Sequence, residues 1–454
     1  MEHELMRRLT NLVLAIGLVL ALAASGESDD TSRRQTHGSD PASFKKSKTF
    51  FAGHRVLSVL RTANKVPTRY LGIKAILPGK NLSMVVVGRA AASVYDEMRG
   101  EWADLAGYRA PGHFESFEAI VSGEDGRLWL LDAGHPVYFD GTWHRLEPPS
   151  VSRSFADHFP GMDQTSVLVR ILDPIRAMFS TKVSRIFFIR DDVLGAFDGE
   201  AWSEVAKPPR ELEAQYLLLP EPKHLGRPVP TMKDRQHEKL RRALGSTRLI
   251  DQFLRKTPAG ILPETYCGLV DKGGSVFLGA DRAIFRLDLS TGAWSMYPLP
   301  NGLVQAAAAY EGRDGTIWFS DELGSVAAFD KRTHGWEVYS IIEYLPVPAH
   351  PKQKPPSPEE QALLEYMRGL AGPKDSSSVA TSALRVRAMY EDRDNRLMLA
   401  TQSGLVVFDQ KANTWTLFTS KDSSLPSDRV SCLAEDHSGN IWIGTEMGIV
   451  ILSR

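Results

Sequence analysis

The sequence has few cysteines, little net charge and, after its first residues, no long apolar run. Two cysteines in 454 residues exclude a small fold held together by a disulfide framework. A formal net charge of -1 gives no electrostatic basis for binding nucleic acid or an anionic membrane surface. With 43% hydrophobic and 24% charged residues, the composition is that of a globular protein with a large core. Composition therefore excludes several classes of protein without indicating an activity.

The sequence also lacks the short motifs that would predict an enzyme. No nucleophile elbow is present, and Pro78-Gly79-Lys80 lacks the remainder of a phosphate-binding loop. The histidines are scattered, and no pair of them has the spacing of metal ligands. We therefore predict no catalytic residue, no metal site and no cofactor.

The only long apolar run lies at the start of the chain. Arg7 and Arg8 precede the apolar stretch from Leu12 to Leu22, which is too short to span a membrane comfortably and ends in small residues. This pattern predicts a signal peptide over residues 1–24, with a retained membrane anchor as the alternative. Residues 25–47 are mostly polar, which predicts a disordered leader after cleavage. We expect a protein that is periplasmic or secreted, with no membrane span once the signal is removed.

One short unit is repeated along the rest of the chain. Its clearest copy, residues 430–452, consists of three apolar segments separated by turns at Ser438-Gly439-Asn440 and at Gly448. Six weaker copies each end near a tryptophan, at Trp102, Trp143, Trp202, Trp294, Trp336 and Trp415. Two of the steps between these tryptophans are about 41 and 42 residues, which is the length of a four-stranded propeller blade with its turns.

Each part of the repeat has a physical reason. Asp-Gly and Ser-Gly-Asn favour the positive φ angles that a tight hairpin needs. The second segment, such as Ile441-Trp442-Ile443, is apolar on both faces, which is typical of a sheet covered on both sides. The innermost strands carry a small residue at the same place, as Ala119, Ala177, Cys267, Ala308, Ala388 and Cys432. The sequence therefore predicts an all-β fold, a seven-bladed β-propeller over residues 48–454 with helical insertions between blades.

The two ends of the repeat array predict how the ring closes. The seventh copy lacks its outer strand, and a ring of blades needs that edge to be covered. We predict that residues 49–51 supply the strand that pairs with the sheet ending at Leu452. Cys267 and Cys432 occupy equivalent places in two distant copies, beyond the roughly 7 Å between Cα atoms that a disulfide tolerates. We therefore expect two free, buried cysteines.

These residues resemble the propeller repeat of bacterial two-component-regulator sensors. Glu435-Asp436 and residues 439–445, Gly-Asn-Ile-Trp-Ile-Gly-Thr, match the pattern of that repeat closely, and Glu391-Asp392 with Gly404-Leu405 match it moderately. In that family the propeller is an extracytoplasmic ligand-sensing module, usually followed by a membrane span and a histidine kinase. Neither follows in this sequence. The resemblance implies a propeller that binds a ligand outside the cytoplasm.

Three insertions interrupt the repeat, at about residues 147–174, 207–262 and 341–382. The second is rich in proline up to Pro230 and is predicted to be helical from Thr231, and the third is predicted to be helical after Ser357-Pro358. Residues 233–256 have a local excess of Lys and Arg, which fits either a solvated helix face or an anionic partner. All three insertions fall between an outer strand and the next innermost strand. We therefore expect them on one face of the disc, where they could cover the central channel.

Four residues are candidates to line that channel: Glu118, Arg176, Tyr266 and Arg387. They occupy equivalent places on the innermost strands, and structural ion pairs are the alternative to a ligand-binding role. The predicted function is a ligand-sensing or protein-interaction scaffold module, with an unknown ligand or envelope protein as its partner. The alternative is a propeller-type enzyme, a polysaccharide lyase or hydrolase with its site over the channel. We expect a monomer.

Overall fold

Strands make up nearly all of the described structure. The computed structural model describes residues 50–51, 54–61, 72–79, 81–88, 92–105, 117–122, 127–132, 135–140, 142–146, 175–180, 186–190, 193–198, 201–205, 208–220, 223–224, 227–228, 265–341 and 385–453. These residues all belong to one unit, residues 48–229 and 259–454. In that part of the chain, no helix has the length and apolar composition needed to cross a membrane.

Each blade is an antiparallel sheet formed by four strands. The chain enters through β1 (Phe50–Phe51) and β2 (His54–Arg61). Blade 1 contains β3 (Ala75–Pro78), β4 (Ser83–Val87), β5 (Ala92–Asp96) and β6 (Glu101–Asp104). Blade 2 contains β7 (Phe117–Ser122), β8 (Leu128–Asp132), β9 (His135–Phe139) and β10 (Trp143–Arg145). Blade 3 contains β11 (Ile175–Ser180), β12 (Ile186–Arg190), β13 (Val193–Phe197) and β14 (Trp202–Glu204).

The second half of the ring follows after an insertion. The insertion begins with the helix α1 (Arg210–Leu217) and a short pair of strands, β15 (Lys223–His224) and β16 (Arg227–Pro228). Blade 4 contains β17 (Thr265–Val270), β18 (Ser275–Ala280), β19 (Ala283–Asp288) and β20 (Trp294–Pro298). Blade 5 contains β21 (Ala308–Glu311), β22 (Ile317–Ser320), β23 (Ser325–Phe329) and β24 (Trp336–Ser340). Blade 6 contains β25 (Ala388–Glu391), β26 (Arg396–Thr401), β27 (Gly404–Asp409) and β28 (Thr414–Phe418). Blade 7 contains β29 (Val430–Glu435), β30 (Ile441–Thr445) and β31 (Gly448–Leu452) from the C-terminal end of the chain.

The seven sheets form a closed ring around a central axis. The first strand of each blade contacts the first strand of the next, in the order β3, β7, β11, β17, β21, β25 and β29, and β29 contacts β3 again. The first strands are therefore innermost, and the fold is the seven-bladed β-propeller that the repeat predicts.

The core is divided into seven separate layers, one between each pair of neighbouring blades. One layer packs Trp129 of blade 2 against Phe188 and Phe197 of blade 3, and another packs Met84 of blade 1 against Trp442 of blade 7. The remaining five layers fill the other interfaces in the same way. A second strand such as β18 or β30 is buried along its whole length because it contributes to two layers at once. This arrangement confirms the prediction of sheets covered on both faces.

The hairpins between the first and second strands have the predicted backbone conformation. Gly315 and Gly439 take positive φ angles of 89° and 84°, and Asn395 does the same at 63° in blade 6. The Asp-Gly and Ser-Gly-Asn turns therefore lie where the sequence predicts them.

Ring closure uses the N-terminal end of the chain, but not through the predicted strand. β2 pairs with β31, from Val56 opposite Leu452 to Arg61 opposite Gly448, and is the fourth strand of blade 7. β1 pairs only with the start of β2, so the prediction that residues 49–51 lie next to the C-terminal sheet is wrong. β2 closes the blade because its Leu60 is buried in the layer between blades 7 and 1.

The insertions are described only in part. α1 begins before the segment that was predicted to be helical, with Pro209 at its N-cap and Glu211 and Glu213 in its first turn. The predicted signal peptide, the leader, the first insertion and the helices predicted from Thr231 and after Ser357 lie outside the described residues.

Candidate functional site at one end of the central channel

One position recurs at the start of all seven innermost strands. It directly precedes the small residue of the strand and is held by Lys74, Glu118, Arg176, Tyr266, Ala307, Arg387 and Ser431. In β7, β11, β17 and β29 the position falls at a shift in the pairing register with the second strand. In the other three blades its backbone N–H donates to the second strand, as from Arg387 to the Ala400 carbonyl oxygen at 2.8 Å. The backbone therefore brings the four predicted site residues to the same end of the ring, called the channel mouth below.

Arg387 differs from its neighbours because its guanidinium has no partner. Among the described residues it makes no hydrogen bond or ion pair through its side chain, which reaches solvent. Partial burial lowers the pKa of Arg387, and repulsion by Arg385 and Arg429 lowers it further, while Glu446 acts in the opposite direction. Three arginines of two neighbouring blades therefore lie close together at the channel mouth.

The two flanking arginines are each paired with a glutamate. The Arg429 Nη1 lies 2.8 Å from the Glu446 Oε1, and the Arg385 Nη2 lies 3.3 Å from the Glu322 Oε1. Glu322 and Glu446 lie in turns between second and third strands, which reach the same end of the ring as the starts of the first strands. Three arginines and two glutamates leave an excess of one positive charge, carried by the unpaired Arg387.

Sequence reasoning identified Arg387 but missed Arg385 and Arg429. Both lie three residues before the small residue of their innermost strand, in Arg385-Val-Arg387-Ala and Arg429-Val-Ser431-Cys. Alignment of the sixth and seventh copies at this position would have revealed the pair. The signal extends three residues upstream of the strand, where the repeat itself is no longer apolar.

Other members of the recurring position have different tasks. The Ser431 hydroxyl donates to the Ile73 carbonyl oxygen at 2.5 Å and so ties blade 7 to blade 1. Tyr266 is partly buried, and its charged form would raise the pKa of Tyr216 in α1. Glu118 and Arg176 take the same backbone position in blades 2 and 3.

Helix α1 lies over blade 4 at the channel mouth. The Tyr216 hydroxyl donates to the buried Asp281 carboxylate in the turn between β18 and β19. The Arg282 Nη1 donates to the Leu219 carbonyl oxygen at 3.1 Å, and its guanidinium lies 5.7 Å from the centre of the Tyr216 ring. Burial, followed by the negative charge of Asp281, raises the pKa of Tyr216, which keeps its hydroxyl a donor. The described start of the second insertion therefore lies on the face on which the sequence predicts all three.

The opposite end of the channel carries charges that are paired across blades. The Arg313 Nη2 of blade 5 lies 3.3 Å from the Glu435 Oε2 of blade 7, and the Arg393 Nη2 of blade 6 lies 3.3 Å from the Glu435 Oε1. The Tyr390 hydroxyl donates to the same carboxylate at 2.9 Å. These contacts link three blades, so the charged residues here act as structural ties, the alternative that the sequence left open for the other end.

The described residues contain no group of three His, Cys, Asp or Glu side chains placed to hold a metal ion. Cys267 and Cys432 are both free and buried, as predicted.

Comparison with known proteins identifies the repeat. The two component regulator propeller family matches residues 424–447, which include most of β29 and β30. The chain thus carries the two-component-regulator propeller repeat, and the resemblance found in the sequence is confirmed. No curated protein is significantly similar in sequence.

The chain is also similar in fold to solved propellers. A streptogramin B lyase is 11% identical, with 86% of this chain and 95% of that chain aligned at a TM-score of 0.51. Virginiamycin B lyase from Staphylococcus aureus is 11% identical, with 87% and 98% aligned at 0.51. The extracellular domain of a protein described as a one-component system from B. thetaiotaomicron is 11% identical, with 88% of this chain but only 40% of that domain aligned at 0.50. At these identities the similarity shows a shared fold.

Proposed function

We propose that this chain is an extracytoplasmic ligand-binding module of the sensor type, which takes its ligand at the channel mouth. The observation that carries the proposal is the recurring position on the innermost strands. A ring with only a structural role would be expected to repeat one residue type there, as it repeats small residues at the next position. Instead the seven copies carry basic, acidic, aromatic and small side chains.

The contrast between the two ends of the channel supports this choice of site. At the opposite end, arginines and glutamates of three blades neutralise one another. At the channel mouth, Arg387 keeps its hydrogen-bond donors free among the described residues. An unpaired charge held beside like charges costs stability unless another molecule uses it.

Export is part of the same proposal. The signal-like pattern in residues 1–24 supports it, as does the extracellular location of the sensor domain from B. thetaiotaomicron that shares the fold. In this proposal the partner is a small ligand, and an envelope protein would read the bound state.

A thermal-shift screen tests the function and does not require a named ligand. The purified protein would be screened against a panel of acidic, basic and uncharged metabolites and oligosaccharides. We expect at least one compound to raise the melting temperature saturably in the wild type and to lose this effect in Tyr266→Ala/Arg387→Ala. The matched control is Tyr297→Ala/Arg332→Ala, which removes the same residue types away from the channel mouth. Binders that act equally on both variants, or a panel without binders, would contradict the proposal.

Recovery of the ligand distinguishes the binding module from the alternative, a lyase or hydrolase. Mass spectrometry of the bound compound after long incubation should return it unchanged. A converted compound would favour the enzyme, for which no feature of the described residues speaks specifically.

A further inference from the structure

The three arginines at the channel mouth have the features of a site for a particular chemical group. Arg385 and Arg429 hold equivalent positions in blades 6 and 7, and Arg387 lies between their charges. The glutamates present in the described part of the site already engage the two flanking arginines. No described carboxylate is therefore left to neutralise Arg387.

We propose that Arg387, flanked by Arg385 and Arg429, binds an oxyanion of the ligand, a carboxylate, phosphate or sulfate group. This inference deepens the proposed function and rests on it. A guanidinium presents two parallel N–H donors that match two oxygens of such a group. The flanking arginines add long-range attraction and could turn toward the anion as their glutamates remain partly exposed.

A purely structural role explains the arrangement less well. Like charges placed together destabilise a fold, and a structural arginine would be expected to carry a partner, as Arg313 and Arg393 do at the other end. The mutual repulsion that lowers the pKa of Arg387 would be relieved by a bound anion. With a net charge of -1, the chain is not a general polyanion binder, so the positive charge is local to this site.

The oxyanion is tested with inorganic phosphate, sulfate and acetate, titrated at constant ionic strength against chloride. Affinity would be measured by isothermal calorimetry and by thermal shift for the wild type, Arg387→Ala and Arg387→Lys. We expect Arg387→Ala to weaken binding by about ten- to a hundredfold, because it removes charge-assisted hydrogen bonds. Arg387→Lys should bind with intermediate affinity because it keeps the charge and loses the paired donors. Arg332→Ala, at an exposed arginine outside the site, should bind like the wild type.

A second variant acts in the opposite direction and cannot be explained by misfolding. Glu446→Gln removes the carboxylate that engages Arg429, so binding of phosphate or sulfate should tighten by about three- to tenfold. Equal affinity in the wild type and Arg387→Ala, or weaker binding in Glu446→Gln, would overturn the inference.

The outcome also separates the inference from the proposed function. If an uncharged compound from the screen binds and is lost in Tyr266→Ala but retained in Arg387→Ala, the channel mouth is a ligand site and the oxyanion assignment is wrong. If no compound binds there but phosphate binding depends on Arg387, the anion site exists and the sensor role is wrong.

Discussion

At the scale of single residues, the structure explains the aspartate and tryptophan of the repeat. The Asp436 Oδ1 accepts from the backbone N–H of Asn440 at 2.8 Å, and its Oδ2 accepts from the Trp442 Nε1 at 2.9 Å. One carboxylate therefore fixes the turn and the buried indole together. In blade 4, where Phe277 replaces the tryptophan, the equivalent Asp271 pairs with Lys331 at 2.8 Å. The aspartate finds a donor in both blades, although the donor differs.

Trp442→Ala should destabilise the protein by about 3 to 5 kcal/mol, since it empties a fully buried site. The change also removes an N–H donor from Asp436. Urea denaturation followed by circular dichroism measures the free energy of unfolding. Trp294→Ala is the control, because Trp294 is only partly buried and should cost less than half as much. Equal losses in the two variants would contradict a structural role specific to the buried indole.

Asp392 predicts a dependence of stability on pH. Its carboxylate is buried, which would raise its pKa, but hydrogen bonds from His54 and from the Arg396 backbone and side chain outweigh burial and lower the pKa below 3.8. A lowered folded-state pKa contributes stability above the unfolded value, and this contribution is lost as the pH falls through the folded value.

Asp392→Asn should therefore cost about 1 to 3 kcal/mol at pH 7, and the difference from the wild type should shrink below pH 4. Urea denaturation at pH 7, 5, 4 and 3.5 measures the difference. Asp288→Asn, at an exposed carboxylate with a lowered pKa, should have little effect at any of these pH values. A constant difference between wild type and Asp392→Asn down to pH 3.5 would contradict the assignment.

At the scale of elements, the closing strand shows where sequence reasoning stopped. Closure by the N-terminal end was predictable from the missing strand of the seventh copy, but the choice between β1 and β2 was not. Both are apolar, and β2 alternates exposed Leu57 and Val59 with partly buried Val56 and Ser58. Its register on β31 depends on contacts with blade 7, and His54 adds one with Asp392 of blade 6 at 3.0 Å. Such long-range contacts leave no local signal.

Truncation at two points tests the closing strand. A chain that begins at residue 54 loses β1 and keeps β2, so its melting temperature should stay within about 3 °C of the wild type. A chain that begins at residue 62 loses β2, Leu60 and the His54 contact, and should melt at least about 10 °C lower. Thermal melts by circular dichroism and small-angle scattering would follow stability and ring closure. Similar melting of the two truncated chains would mean that β2 does not close the ring.

At the scale of the whole molecule, the repeat was predictable and the charge pattern was only partly so. Turn residues such as Gly439 and a second strand such as β30 recur in every clear copy, which fixes the number and order of blades. The recurring position before each small residue was also visible, and it led to Arg387. Arg385 and Arg429 were missed because their proximity to Arg387 follows from the ring, which brings the starts of neighbouring blades together. Pairing across blades, as between Arg313 and Glu435, was invisible for the same reason.

The closed ring also predicts the chemistry of its two thiols. Cys267 lies in blade 4 and Cys432 in blade 7, so blades 5 and 6 separate them. Burial raises the pKa of both thiols to about 12, so very little reactive thiolate forms at pH 8. Both should resist iodoacetamide in the native protein and react in urea, and reductant should leave the melting temperature unchanged.

Mass spectrometry of the alkylated peptides measures the modification at each cysteine separately. Ser438→Cys, in the exposed turn between β29 and β30, should react readily in the native state and so controls for the reagent. Because the two native cysteines hold equivalent positions in different blades, a ring that opens as one unit should expose both together. Native labelling of Cys432 alone would instead mean that blade 7, where the two ends of the chain meet, opens independently. A peptide linking Cys267 to Cys432 would contradict the order of blades around the ring.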